Sequence, residues 1–130
     1  MKRPQSLFVA LIGIQALHSF EEYAGRLWET FPPAQALTGL VSADRAFGFL
    51  VINIGLVAFG MLCLWPVLAG WRGARGLMWF WVVIELINGV GHPAWSTIQG
   101  GYTPGLATSV PLLVLAVLLA RELRSSAAQR

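Results

Sequence analysis

Apolar residues dominate four stretches of the chain, separated by short segments rich in polar residues, proline and glycine. The stretches cover about residues 6–23, 45–69, 77–91 and 104–119. A helix needs roughly 20 apolar residues to cross a bilayer, so each stretch is near that length. The third closes at His92-Pro93, because proline disfavours the continuation of a helix. The pattern predicts an all-α membrane protein: a four-transmembrane-helix bundle in a single domain of residues 1–130.

The overall composition supports a membrane protein. Hydrophobic residues make up 56% of the 130 positions and charged residues only 12%, with a mean hydropathy of +0.65. Soluble domains carry about 25% charged residues. The net charge of +3 comes from the termini and one short loop, which fits an anionic lipid surface and not nucleic acid. The single cysteine, Cys63, excludes an intrachain disulfide.

The distribution of lysine and arginine predicts the orientation in the membrane. Cytoplasmic loops are enriched in these residues. If both ends of the chain are cytoplasmic, the inner side holds Lys2, Arg3, Arg72, Arg75, Arg121, Arg124 and Arg130. The outer side then holds only Arg26 and Arg45. We therefore expect both termini in the cytoplasm.

Polar residues within the predicted spans form two stripes. At about 100° per residue, each stripe covers about 60° of its helix surface. The stripe in the first span comprises Gln15, His18 and Glu22, with Glu21 beside it. The stripe in the third span comprises Glu85, Asn88 and His92. Both lie in the outer half of the bundle. Exposure of either stripe to lipid would be energetically costly, so we expect the stripes to face each other.

The two stripes contain a candidate metal site. Glu85 has no cation within four residues of the sequence, so its carboxyl must be protonated, paired with an imidazolium or bound to a metal ion. Two imidazoles and two carboxylates suit zinc or iron. The predicted ligands are His18, Glu22, Glu85 and His92. Their spacing matches neither Glu-x-x-His nor His-Glu-x-x-His.

The same residues also allow a metal-free interpretation. An acid–base relay would use the carboxyl groups, with Asn53 and Asn88 holding a polar group of the substrate. In the metal-enzyme interpretation Glu21 is the candidate general acid or base, and the predicted catalytic set is Glu21, Glu85, Asn88 and Tyr102. A simpler alternative for Glu22 is an ion pair with Arg26, four residues further on.

Three motifs resemble those of a known family. His18-Ser19-Phe20-Glu21-Glu22 matches His-x-x-Glu-Glu, the segment from Asn88 to His92 matches Asn-x-x-x-His, and Tyr102-Thr103-Pro104-Gly105 matches Tyr-x-Pro-Gly. Together, in this order, they resemble the HXXEE family of small bacterial integral membrane proteins, across nearly the whole chain. The resemblance implies a bacterial cell (inner) membrane location. It implies no reaction, because the family is named for its motif.

The sequence is compatible with three functions. The leading hypothesis is a metal-binding enzyme that acts on a lipophilic small molecule. The second is a metal-free isomerase or cyclase of a lipophilic substrate, and the third is a small transporter or ligand-binding membrane subunit. The expected partners are the lipid bilayer and a lipophilic small molecule, without nucleic acid. A homo-oligomer stays open.

Overall fold

The structure, a computed structural model, describes residues 1–128, and this range is helical without any β-strand. The helices are α1 (Arg3–Ala24), α2 (Pro32–Val41), α3 (Arg45–Leu68), α4 (Ala74–Gln99) and α5 (Leu106–Ala128), with one 3₁₀ turn at Leu27–Glu29. The all-α prediction is confirmed. Arg130, which contributed to the predicted inner charge, lies outside the described residues.

The four long helices each pack against two others. α1 and α4 both contact α3 and α5, and the short helix α2 lies against α3. Between them is a core whose largest fully buried side chains include Trp81 of α4, Phe8 of α1 and Leu112 of α5. α1 and α4 therefore face the same interior, which brings their polar stripes within reach of each other.

Close packing of α4 on α5 depends on Gly89. A Cβ atom at this position would lie 2.5 Å from Cβ and 2.9 Å from Cα of Leu113. Real carbon atoms do not approach so closely, so any side chain here would push the two helices apart. Gly89 thus sets the separation between α4, which carries His92, and α5, which follows the Tyr-x-Pro-Gly segment.

Two helices are long and apolar enough, by length and composition, to cross a membrane. They are Arg45–Leu68 and Leu106–Ser126. α1 and α4 have comparable lengths of 22 and 26 residues, but they contain the ionisable residues of the two polar stripes.

Pro93 does not end its helix, contrary to the sequence-based expectation. α4 continues through Pro93 to Gln99 and ends at Gly100, whose φ of 71° suits a helix C-cap. Packing beyond the proline offsets the lost hydrogen bond: Trp95 lies against Phe31, and Ser96 Oγ is 2.5 Å from Thr103 Oγ1. His92 consequently lies inside the helix, which fixes the direction of its ring.

The alternative of an ion pair between Glu22 and Arg26 is not realised. α1 ends at Ala24, and Arg26 has a left-handed backbone with φ of 57°. It therefore leaves the helical register that the pairing requires. Its guanidinium instead binds Glu29, with Nη2 2.5 Å from Oε1. The Glu22 side chain, which does not pair with Arg26, faces the interior of the protein instead.

Candidate functional site

His18, Glu22 and His92 form a compact buried cluster between α1 and α4. Glu22 Oε1 lies 3.3 Å from Nε2 of His18 and 3.1 Å from Nε2 of His92. The two imidazole rings meet edge to face, with centroids 4.7 Å apart. One ligand atom from each residue lies within 4.8 Å of the other two, so the group could hold a metal ion.

Thr108 at the start of α5 determines the tautomer of His18. Its Oγ1 lies 2.5 Å from Glu21 Oε2 and 2.7 Å from His18 Nδ1. The hydroxyl has one proton and donates it to the Glu21 carboxylate, which accepts all its other hydrogen bonds. Thr108 Oγ1 must therefore accept a hydrogen bond from the N–H at His18 Nδ1. In the neutral ring the remaining nitrogen, Nε2, then carries the lone pair, and it lies 3.3 Å from Glu22 Oε1.

The environment of His18 Nε2 is electrostatically unsatisfied. This nitrogen is buried and has no hydrogen-bond partner among the described residues, although it is within ion-pair distance of Glu22. A lone pair and a carboxylate oxygen at 3.3 Å repel each other unless a proton or a metal ion lies between them. A histidine that binds a metal ion through one ring nitrogen commonly donates a hydrogen bond from its other ring nitrogen to an oxygen atom, as His18 Nδ1 does to Thr108.

Gly105 lies directly against the two imidazole rings. Its φ is +92°, and a Cβ atom here would lie 2.5 Å from His92 Nδ1 and 3.0 Å from His18 Cε1. Only glycine combines this backbone conformation with so close an approach. The glycine of the Tyr-x-Pro-Gly segment therefore closes one side of the histidine pair.

Glu21 faces a different set of partners from Glu22. Its carboxylate accepts hydrogen bonds from Tyr102 Oη (2.6 Å), Ala107 N (3.1 Å) and both N and Oγ1 of Thr108 (2.9 and 2.5 Å). It thus caps the first turn of α5, where a negative charge is favourable. The bond donated to this carboxylate raises the pKa of Tyr102 to about 12. The carboxylate of Glu21, the predicted general acid or base, thus accepts four hydrogen bonds from residues 102–108.

Glu85 is fully buried but lies outside the cluster of His18, Glu22 and His92. It accepts a hydrogen bond from Asn88 Nδ2 at 3.1 Å. With the amide of Gln15 in the orientation that satisfies both of its atoms, Gln15 donates to Glu85 Oε1 at 2.9 Å and accepts from Ser19 Oγ. Gln15 therefore connects Glu85 to the polar stripe of α1, and Asn88 binds the same carboxyl group within α4. Its position favours a role beside the cluster over direct ligation.

A cavity of about 160 Å³ reaches this polar interior from below α2. Its wall is apolar except for Thr38 and four residues from the predicted site and its surroundings, Gln15, Glu22, Asn53 and Asn88. Asn53 donates to its own helix, to Phe49 O at 3.1 Å, which leaves its side-chain oxygen for other partners. Asn53 also lines a second, open and mainly apolar groove of about 350 Å³ between α1 and α3.

The structure thus brings most of the predicted site residues into one region. His18, Glu22 and His92 are in contact, Glu85 and Asn88 are beside them, and Glu21 and Tyr102 form a separate network joined through Thr108. Sequence reasoning missed Thr108. A hydroxyl in the first turn of the helix after Tyr-x-Pro-Gly is a weak signal, because threonine is common there.

Comparison with known proteins gives a family but no reaction. A family profile described as "Protein of unknown function with HXXEE motif" matches residues 9–120. No curated protein and no solved structure matches the chain. The matched region includes all three motifs, and the structure joins them through contacts among Glu22, His92 and Gly105. Because the match covers most of its length, this chain belongs to the HXXEE family.

Proposed function

We propose that this protein is a bacterial membrane enzyme that binds a divalent metal ion, zinc or iron, and acts on a lipophilic small molecule. In this proposal all four long helices cross the bilayer as a four-helix bundle, with both ends of the chain in the cytoplasm. The large apolar side chains that face outwards support it. They lie on all four long helices and include Phe20, Leu62, Trp65, Ile87, Val90 and Val114. Such surface is costly in water and favourable in lipid.

The observation that carries the metal proposal is the buried Nε2 of His18, which has no hydrogen-bond partner among the described residues and lies 3.3 Å from Glu22 Oε1. Distances within the cluster fit a metal site. Bonds of about 2.0–2.1 Å in a tetrahedral site separate neighbouring ligand atoms by roughly 3.3 Å. The carboxylate oxygen of Glu22 lies 3.3 Å and 3.1 Å from the two imidazole nitrogens.

Three protein ligands would leave room for a further one. A divalent ion held in this way acts as a Lewis acid on an oxygen atom of a bound molecule. Gly105 covers one side of the rings, whereas Glu22 lines the cavity beneath α2. The accessible side of the cluster is therefore the cavity, where Asn53 and Asn88 provide amides to orient a polar group.

The residues that line the cavity support a lipophilic substrate. Apolar residues, including Leu37, Phe49, Ile52 and Leu56, form most of its wall. Asn53 belongs both to this wall and to that of the groove between α1 and α3, which opens on the side that would face lipid. A small apolar molecule with one polar group could pass from the bilayer along this groove to the site.

Elemental analysis of detergent-purified protein, prepared without chelator, tests the metal proposal. We expect close to one equivalent of zinc or iron in the wild type and a loss of most of it in Glu22→Gln and His92→Ala. Glu29→Gln is the matched control, because Glu29 pairs with Arg26 outside the cluster. A wild-type protein without stoichiometric metal would overturn the proposal.

The same cluster favours a metal-free acid–base function if that experiment fails. Glu22 Oε1 bridges two imidazoles, so a single added proton would be shared within the cluster. Glu85, bonded to Gln15 and Asn88, would be a second acid beside it. Activity or ligand binding that persists in the presence of a strong chelator would favour this isomerase-type chemistry.

A further inference from the structure

A second polar cavity lies at the opposite end of the protein from the histidine cluster. It has a volume of about 530 Å³ and is formed where α1 and α4 begin and α3 and α5 end. Lys2 at its rim and His18 are 16 positions apart along α1 and its N-cap, about 24 Å at 1.5 Å per residue. The cavity is therefore independent of the proposed metal site.

The charge of this cavity is entirely positive. Lys2, Arg72 and Arg75 line it, and no aspartate or glutamate of the described residues does. Glu122, the nearest acid along α5, is paired with Arg3 at 3.2 Å. The N-termini of α1 and α4 also lie at this cavity and add partial positive charge. Such a field attracts an anion.

The negative helix ends at the cavity are already neutralised by protein groups. Gln5 Nε2 donates to Val67 O at 2.9 Å and to Leu68 O at 3.1 Å, at the end of α3. Arg75 donates to Leu123 O near the end of α5. By contrast, the side chains of Lys2 and Arg72 form no ion pair within residues 1–128. These two cations are available for a ligand.

The remaining wall of the cavity is apolar. Val67, Trp71 and Met78 lie next to the cationic side chains. Trp71 and Trp65 are both more than half exposed, as is typical of tryptophans at a membrane interface. A ligand that fills this space needs an anionic group for Lys2 and Arg72 and an apolar part for the rest, a combination that free phosphate lacks.

We propose that this cavity binds the phosphate group of an anionic phospholipid at the cytoplasmic surface. The inference rests on the proposed insertion in the membrane, and it does not depend on the metal. Basic pockets between helices on the cytoplasmic side are suited to such headgroups. The bound lipid would hold the first turn of α1, the turn between α3 and α4 and the last turns of α5 together.

Native mass spectrometry of the purified protein with added phosphatidylglycerol or phosphatidylcholine tests this assignment. We expect saturable binding of phosphatidylglycerol, and affinity about 10- to 30-fold lower in the double variant Lys2→Gln/Arg72→Gln. The control Arg121→Gln/Arg124→Gln removes the same charge from α5 outside the cavity and should bind as the wild type does. The charge-retaining variant Lys2→Arg/Arg72→Lys should also bind.

Three outcomes would overturn the proposal. They are equal binding of both lipids by the wild type, an equal loss of binding in both double glutamine variants, and complete competition by millimolar inorganic phosphate. The metal content of each variant is measured in parallel. Retained metal with lost lipid binding would separate the two sites, whereas a metal-free wild type that still selects phosphatidylglycerol would refute only the metal proposal.

Discussion

The hydroxyl of Thr108 lies 2.7 Å from Nδ1 of His18, although the two residues are 90 positions apart in the chain. The same hydroxyl binds Glu21 at 2.5 Å. Glu21 of the His-x-x-Glu-Glu motif therefore orients His18 of the same motif indirectly, through a residue of another helix. Glu22 contacts the imidazoles directly, so the two adjacent glutamates have distinct structural roles.

Loss of the Thr108 hydroxyl should weaken metal binding without removing a ligand. Thr108→Val leaves Nδ1 of His18 without its acceptor, and we expect a 10- to 100-fold lower metal affinity. Thr108→Ser keeps the hydroxyl and should restore most of the affinity. Competition with a chelating dye measures both. Wild-type affinity in Thr108→Val would show that the hydroxyl does not position the ring. Thr97→Val on α4, whose hydroxyl donates to Pro93 O of its own helix, is the control.

The contact between Tyr102 and Glu21 should be visible in a tyrosine titration. The chain has two tyrosines, so in a Tyr23→Phe background the phenolate absorbance reports Tyr102 alone. We expect a pKa near 12 and a return towards 10 when Glu21→Gln is added. The protonated phenol makes the bond, so this contact is complete below about pH 10 and is lost as the pH rises through 12. An unchanged midpoint in the double variant would contradict the contact.

Gly105→Ala should destabilise the protein and distort the histidine pair. A Cβ here requires an unfavourable backbone at φ of +92° and overlaps the His92 ring. The strain and overlap together cost roughly 2–4 kcal/mol. Gly101→Ala is the control, since a Cβ at Gly101 has no neighbour within 4 Å. Thermal unfolding in detergent compares the two, and equal stability would refute the close contact.

Two glycines on α4 should respond to alanine in opposite directions. Gly89→Ala places a Cβ 2.5 Å from Leu113 Cβ, whereas a Cβ at Gly91 meets nothing within 4 Å. We expect a loss of roughly 1–3 kcal/mol for the first. For the second we expect a gain of up to about 1 kcal/mol, because alanine favours the helix. Both are read from the same unfolding assay, and matching shifts would contradict the packing of α4 on α5.

Cysteine labelling tests the proposed orientation in the membrane. In a Cys63→Ala background, Leu40→Cys on α2 should react with an impermeant maleimide added to spheroplasts. Gly73→Cys, in the turn before α4, should react only after the membrane is permeabilised. Both positions are exposed, so accessibility does not limit either reaction. The reverse pattern would place the termini outside.

The sequence predicted much of this arrangement because the periodicity of a helix is fixed. Gln15, His18 and Glu22 share one face of α1 by spacing alone, and Glu85, Asn88 and His92 share one face of α4. Because exposure of either stripe to lipid would be costly, the two stripes are predicted to meet. The distance of 3.1 Å between Glu22 Oε1 and His92 Nε2 agrees with this prediction. Asp44 caps α3 through Phe47 N, as its position before the helix indicates.

Other features depend on contacts that no local pattern records. Pro93 lies within α4 because Trp95 and Ser96 find partners beyond it. Arg26 leaves the α1 register and pairs with Glu29, which frees Glu22 for the histidines. Thr108 becomes important only because α5 docks its first turn on Glu21. Each case is a tertiary contact that overrides a local preference.

The docking of α5 on α1 has a consequence for biosynthesis. Residues from Tyr102 onwards supply the acceptor for His18, the donors for Glu21 and the glycine that closes the histidine pair. A nascent chain that ends before this segment has both histidines and Glu22 but no means of orienting them. The site therefore matures only after α5 has been synthesised and has docked on α1, and chains that stop before α5 should be unable to acquire a ligand prematurely.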